Sequence, residues 1–261
     1  MKKVVLFDFH NTLATCASWL ELEITTLPGL ALSRLAGRGV LDAGARERTG
    51  EATAHFKALR QRVRESGVEL SAVQGVTQVL DSLGYSVPQA ETESVVAELE
   101  NECLPEVEMV EGADVALRQL HNAGCLLGVV SSAGYPLFVE MALEKLGLRT
   151  YFNEVVTSAG EGIYKSDPEI FRRAVSRLGA RPSDAVHIGD HAVYDVRTAK
   201  AAGLSAIWFV AEARNTARLH GTEWSTVAEA GEEADAVVES MAELYDAISA
   251  LYMNMGRPTS G

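Results

Sequence analysis

The feature that most constrains this chain is an alternation that runs through its second half. Short apolar runs at residues 4–8, 126–131, 155–157 and 185–190 each end in a small or acidic polar residue, and a fifth follows at 206–210. Runs of this length, rich in Val, Ile and Leu, suit strands buried on both faces. Stretches with helical spacing separate the later runs. Residues 113–123 carry Val115, Leu117 and Leu120 before Gly124, and residues 136–146 carry Phe138, Met141, Ala142 and Leu146 before Gly147. Residues 168–178 carry Ile170, Phe171, Val175 and Leu178 before Gly179, and residues 193–202 end at Gly203. Strand, helix, glycine, strand is the pattern of right-handed βαβ units around a parallel sheet. A last run at 236–238 and a helical stretch at 241–251 close the unit, and the tail after Met253 reads as frayed.

The interval from about residue 14 to 106 reads differently. It carries no clear strand; Phe56, Leu59 and Val63 recur at helical spacing, as do Val76, Leu80 and Leu83, and Val95, Val96 and Leu99. Gly67, Gly84 and Pro88 punctuate it. The expected architecture is therefore α/β: a Rossmann-like three-layer core with a parallel sheet, built from residues 1–14 and 107–261, and an inserted helical cap at 15–106.

Composition narrows the function classes. With 261 residues, 47% of them apolar, the chain can bury a sizeable core. A net charge of −13 argues against nucleic-acid or anionic-membrane binding, which wants a basic face. Cys16, Cys103 and Cys125 are too sparse for a disulfide framework or a zinc spacing. The first apolar run is too short for a secretory leader, and no stretch is long enough to span a bilayer, so a cytoplasmic setting is expected. No heptad or apolar stripe assigns an oligomeric state.

Ligands of open parallel sheets bind beyond the carboxyl ends of the strands. Those ends carry Asp8, Ser131 and Asp190, with Lys165 and Asp195 just beyond. Asp8 and Asp190 offer the hard oxygens that Mg²⁺ prefers, Lys165 a point charge for phosphate oxygens, and Ser131 a hydroxyl. Such a set neutralises a phosphoryl group and lets a carboxylate attack it in line.

The stretches VVLFDFHNTL, GVVSSAG, GIYKSDPEIF and HIGDHAVYD resemble, in order and spacing, the four motifs of the haloacid-dehalogenase-like hydrolase superfamily. The resemblance covers nearly the whole chain, with the helical insertion where that superfamily often places a cap. It implies Asp8 as nucleophile, passing through an aspartyl-phosphate, and Mg²⁺ held by Asp8, the backbone carbonyl of His10, Asp190 and Asp195. Ser131, Ser132 and Lys165 would hold phosphoryl oxygens, and Thr12 would orient the first loop beside the substrate. The implied substrate is a small phosphorylated metabolite.

One position departs from that pattern. The superfamily's phosphatases usually carry Asp two residues after the nucleophile, where this chain has His10. Either His10 takes over the acid–base role, or it fills space and only good leaving groups react, or the substrate needs no acid. The third case includes 2-haloacid dehalogenation, against which the retained pair Asp190 and Asp195 speaks; a degenerate relative that only binds a phosphorylated ligand is a further alternative. Lys57, the one lysine of the insertion, reads as surface charge, which disfavours Schiff-base chemistry. Arg60, Arg62 and Arg64 read as a solvated helix face, or else one of them reaches a substrate anion. Trp19 and Leu20 read as hinge packing or else as lining of the cap interface, His187 as a core histidine, and His191 as a neighbour of the metal acids, while His55 and His220 carry no partner pattern.

Overall fold

The computed structural model describes residues 2–211, 229 and 231–255; His220 and residues 256–261 of the tail lie outside the described residues. Its centre is a six-stranded parallel sheet in the order β5-β4-β1-β6-β7-β8. The strands are β1 (Val4–Phe7), β4 (Leu126–Ser131), β5 (Glu154–Thr157), β6 (Ala185–Gly189), β7 (Ser205–Phe209) and β8 (Ala236–Val238). β1 lies between β4 and β6, with Val4 opposite both Leu126 and Ala185. All four of its residues are fully buried, which is why the strand reads as an unbroken apolar run.

The pleat sends alternate residues of β1 to opposite faces. Val5 and Phe7 pack in one cluster with Leu117, Phe138 and Leu244, whereas Val4 and Leu6 pack in another with Ile170, Phe171 and Ala199. The two clusters are the two helical layers of a three-layer sandwich. In chain order the helices are α1 (Ala17–Glu21), α2 (Leu27–Gly37), α3 (Thr49–Ser66), α4 (Ala72–Ser82), α5 (Gln89–Cys103), α6 (Ala113–Asn122), α7 (Pro136–Lys145), α8 (Ser158–Glu161), α9 (Glu169–Arg177), α10 (Thr198–Ala202) and α11 (Leu244–Met255). Among the described residues no helix is long and apolar enough to cross a membrane.

The stretch between β1 and β4 departs from expectation at its edges. Ala14–Thr15 (β2) pairs antiparallel with Glu108–Met109 (β3), so a two-residue ribbon marks where the chain leaves the sheet and returns. Two residues cannot show a period, so the ribbon was invisible in the sequence. Between its strands lie α1 to α5. In α3, Phe56, Leu59 and Val63 are buried, and Gly67 ends the helix at φ 72°, a left-handed conformation that glycine adopts without a Cβ penalty. α4 opens on a capping box, in which Ser71 accepts from the Gln74 amide while the Gln74 side chain accepts from the Ser71 amide. Two helices of the core depart from the sequence pattern. Val115 is 42% exposed, because Ala113, Ala116, Leu117 and Leu120 form the buried stripe of α6. The expected single helix over 193–202 is a π-helical turn, Ala192–Arg197, running into α10.

Candidate active site

The carboxyl ends of β1, β4 and β6 open into one cleft with about 610 Å³ of free space. Asp8, His10, Ser131, Ser132, Lys165, Asp190 and Asp195 all line it. Thr12 does not; it is fully buried, and its hydroxyl finds no hydrogen-bond partner among the described residues.

Asp8 follows β1 directly, and its amide donates to the Ile188 carbonyl at 2.8 Å, extending the β1–β6 ladder by one bond. The chain then turns sharply. Asn11 sits at φ 61°, a left-handed conformation that asparagine tolerates better than most residues, and its amide donates to Ala14 O at 2.7 Å. This turn carries His10 into the cleft wall.

Lys165 Nζ donates to Asp8 Oδ1 at 2.6 Å and also pairs with Asp195. Asp195 is held from two further sides, by His187 Nε2 at 3.0 Å and by the His191 amide, which donates to Oδ2 at 2.9 Å. Gly189 makes this possible: a Cβ there would fall 2.2 Å from Asp195 Cγ, so only a residue without one lets the carboxylate lie against the end of β6. Trp208 Nε1 donates to the Asp190 carbonyl at 3.0 Å and fixes the backbone of that residue. Asp8, Asp190 and Asp195 each bring a carboxylate oxygen within 4.8 Å of the others. Three hard oxygen donors converging at that distance suit a hard divalent cation.

Burial dominates the electrostatics. It pushes the Asp8 carboxyl up to about 7, helped by Asp195 and opposed by the Lys165 ammonium. Burial would also raise Asp195, but Lys165 and His187 hold it below the usual carboxylate range. Burial would lower Lys165, yet Asp195 and Asp8 keep it firmly charged. His10 is pushed down to about 4 by burial, opposed only by the Cys16 backbone. Its Nε2 lies 3.1 Å from Cys16 O and 3.3 Å from Cys16 N, and its ring lies beside Trp19. His191 is likewise pushed down to about 4 by burial, and its ring packs on Tyr194.

The opposite wall of the cleft comes from the helical insertion, and here the sequence reading missed most of the polar groups. Trp19 is buried, stacks on Phe138 with centroids 4.6 Å apart, and donates from Nε1 to Glu100 Oε2 at 3.0 Å. Arg60 is buried and bonds Glu69 at 2.6 Å, while Arg62 is exposed and Arg64 bonds Gln61. The solvated-face reading therefore fails for Arg60. Glu23, Glu69 and Glu100 are buried too. The signal for Glu23 and Glu100 was indirect, acids at positions where helical spacing calls for apolar residues; Glu69 lies in the loop after α3 and gave none. Lys57 is exposed, and His55 bonds Ser82 on the helical surface.

A family model described as haloacid dehalogenase-like hydrolase matches residues 2–203, and one described as HAD-hydrolase-like matches residues 163–244. Haloacid dehalogenase-like hydrolase domain-containing protein 3 of Mus musculus is 37% identical over 97 residues, which cover 37% of this chain and 38% of that protein. Glyceraldehyde 3-phosphate phosphatase of Methanopyrus kandleri is 40% identical over 91 residues, covering 35% of this chain and 39% of that protein. The match thus spans about two fifths of the length of these relatives. A HAD phosphatase structure from Thermococcus onnurineus superposes with a TM-score of 0.60 at 24% identity, covering 94% of this chain and 96% of that one, and so shares the fold.

Proposed function

The chain belongs to the haloacid dehalogenase-like hydrolase family, and on that premise we propose that it is a Mg²⁺-dependent phosphatase acting on a small phosphorylated metabolite through an aspartyl-phosphate on Asp8. The observation that carries this reading is the convergence of Asp8, Lys165, Asp190 and Asp195 in one cleft at the strand ends. A relative named for a phosphatase of a small phosphorylated sugar supports the substrate class.

The donor set fits Mg²⁺: three carboxylates within 4.8 Å, all oxygen ligands, with no cysteine among the described residues that line the cleft. Asp8, Asp190, Asp195 and the His10 carbonyl would hold it, and when bound it would supply positive charge against the phosphoryl oxygens and relieve their repulsion of Asp8. Lys165 and the Ser131 hydroxyl would orient the other oxygens, with the Ser132 side of the loop offering amides. The Asp8 oxygen then forms a bond to phosphorus as the ester P–O bond breaks, and the leaving oxygen departs with the bond's electron pair. Water next attacks the same phosphorus, the Asp8 O–P bond breaks, and inorganic phosphate leaves.

His10 is neutral near pH 7, since burial holds it at about 4. A neutral imidazole accepts a proton but is a poor acid. With Nε2–H donating to Cys16 O, Nδ1 is left to take the proton of the attacking water. His10 thus serves the second step, and the first depends on the quality of the leaving group. Residues 15–106 act as a cap that opens for substrate and closes to exclude water.

The test is Mg²⁺-dependent turnover of para-nitrophenyl phosphate, followed by a screen of phosphorylated metabolites. Turnover should vanish in Asp8→Asn; unchanged turnover in that variant overturns the nucleophile assignment.

A further inference from the structure

The mechanism leaves four buried ionisable side chains of the helical insertion unused: Glu23 and Arg60, which line the cleft, and Glu69 and Glu100, which do not. Buried carboxylates are costly unless bonded, so the groups they bond show what they are for. Glu23 accepts from the Gly134 amide with both oxygens, at 3.1 and 3.0 Å, and from the Tyr135 amide at 3.2 Å. It therefore sits at the N-terminal end of α7, where a negative charge is favoured. Glu69 accepts from Arg60, from its neighbour's amide and from Ser158 Oγ at 2.7 Å. Ser158 Oγ in turn accepts from the Ala133 amide at 3.0 Å. Three successive amides, 133 to 135, thus end on carboxylates of the insertion, two directly and one through a hydroxyl.

These amides follow Ser131 and Ser132 without a gap, so they belong to the loop proposed above to hold the phosphoryl group. Backbone bonds reinforce the link. The Ala72 amide donates to Gly134 O at 2.7 Å, and the Tyr164 amide, just before Lys165, donates to Gly67 O at 2.8 Å. The fit is close: a Cβ on Gly134 would fall 3.0 Å from Glu23 Oε2 and 3.3 Å from the Ala72 amide. Glu69 also bonds Arg60 and the Leu70 amide inside the insertion, and reaches the loop only through Ser158. Glu23 bonds the loop directly, through two successive amides of the core.

We propose that Glu23 and Glu69 are positioning residues that couple closure of the cap to assembly of the phosphate-binding loop, residues 131–135. When the cap swings away, amides 133 to 135 lose their acceptors and the loop loosens; when it closes, the loop is set. Strong phosphate binding then belongs to the closed form alone. The inference rests on the phosphatase reading for the role of that loop, but not for its geometry.

The test uses the full chain with Glu23→Gln and, separately, Ser158→Ala, a change too small to threaten folding. Two readouts are taken: hydrogen exchange of the amides at 133–135, and inhibition by inorganic phosphate alongside kcat and KM for para-nitrophenyl phosphate. Each variant should exchange faster at 133–135 while distant amides keep wild-type rates. Phosphate inhibition should weaken and KM rise by about tenfold in Glu23→Gln, the loss expected for a charged hydrogen bond, with kcat changing less. Restoring the carboxylate one methylene shorter, in Glu23→Asp, should recover part of both effects. Wild-type exchange at 133–135, or unchanged phosphate inhibition and KM, in folded Glu23→Gln overturns the proposal; should that variant not fold, Ser158→Ala decides by the same criteria at Ala133. Asp8→Asn keeps the two readings apart: if it turns over substrate normally the phosphatase reading falls, while the exchange result still judges the coupling.

Discussion

The two walls of the cleft carry the same motif, a buried cation against carboxylates, and use it differently. On the sheet side Lys165 bonds Asp8 and Asp195; on the helical side Arg60 bonds Glu69, with Glu23 close enough to stabilise its charge. Asp195 and Glu23 even share a local device, since each lies on a π-helical turn, Ala192–Arg197 and Leu22–Thr26. What separates the walls is where the carboxylate oxygens aim. On the helical side they diverge, ending on backbone amides, a hydroxyl, the Arg60 guanidinium and the Trp19 indole. On the sheet side three of them converge within 4.8 Å. Charge type alone therefore does not mark a reactive site; convergence of oxygens on one point does.

The sharpest way to break this contrast is to remove the convergence. Asp8→Asn keeps the shape of the site but deletes the nucleophile, and turnover of para-nitrophenyl phosphate should fall by at least about a thousandfold, as expected when a group that forms the covalent intermediate is lost. Next, Lys165→Met and Arg60→Met each strip the cation from a buried pair, whose side chains are at most 11% exposed. Breaking such a pair costs about 3–5 kcal/mol, read as a lower urea midpoint. The two should differ in their response to Mg²⁺. The ion replaces the lost charge beside Asp8 and Asp195, so it should recover much of the Lys165→Met deficit and none of that in Arg60→Met. Equal recovery in both variants would erase the distinction between the walls.

The same difference explains what was legible in the sequence. Asp8, Ser131 and Asp190 stood out because each ends an apolar run, and a strand end has a direction that carries its side chain to the sheet's edge. The parallel sheet was legible for the same reason, since every strand but the two-residue ribbon is long enough to show its pattern. Glu23 and Glu100 lie on helical turns and Glu69 in a loop, positions that carry no such direction. A helix hides which of its polar residues face inward until its partners are placed, so Arg60 looked like its exposed neighbour Arg62. The contact that matters for Glu23 is with Gly134, 111 residues away, and no local spacing announces it.

Metal binding offers a gentler probe of the sheet-side wall. Burial holds Asp8 near 7 in the metal-free protein, against an ordinary 3.8. A cation needs the ionised carboxylate, so below pH 7 its binding must release a proton. Mg²⁺ affinity should therefore drop by about tenfold per pH unit as pH falls from 7 to 5 and level off above 7, a slope that calorimetry across pH 5 to 8.5 reads directly. In Asp8→Asn the slope should flatten. A wild-type profile already flat between pH 5 and 7 would mean that Asp8 is ionised without the metal, and that Lys165 outweighs burial at that carboxylate.

The smallest effect belongs to His10, which lies where the walls meet, touching Trp19 of the insertion and lining the same cleft as Asp8. General bases contribute about 10²–10⁴-fold when their pKa lies near the working pH. At about 4, His10 is well below that range, and its Nε2 is committed to the Cys16 backbone, so its contribution should sit under the usual span. His10→Ala should slow steady-state turnover by about tenfold, through the water step rather than the leaving-group step. Rapid mixing with para-nitrophenyl phosphate should then show a burst of nitrophenolate equal to the enzyme present, because the aspartyl-phosphate forms at the wild-type rate and waits. Esters with poorer leaving groups should lose activity by the same factor or less, as their first step is already slow. A larger loss on the poor leaving groups, with no burst, would instead make His10 the acid of the first step, with its proton held on Nδ1 and the Cys16 amide donating to Nε2.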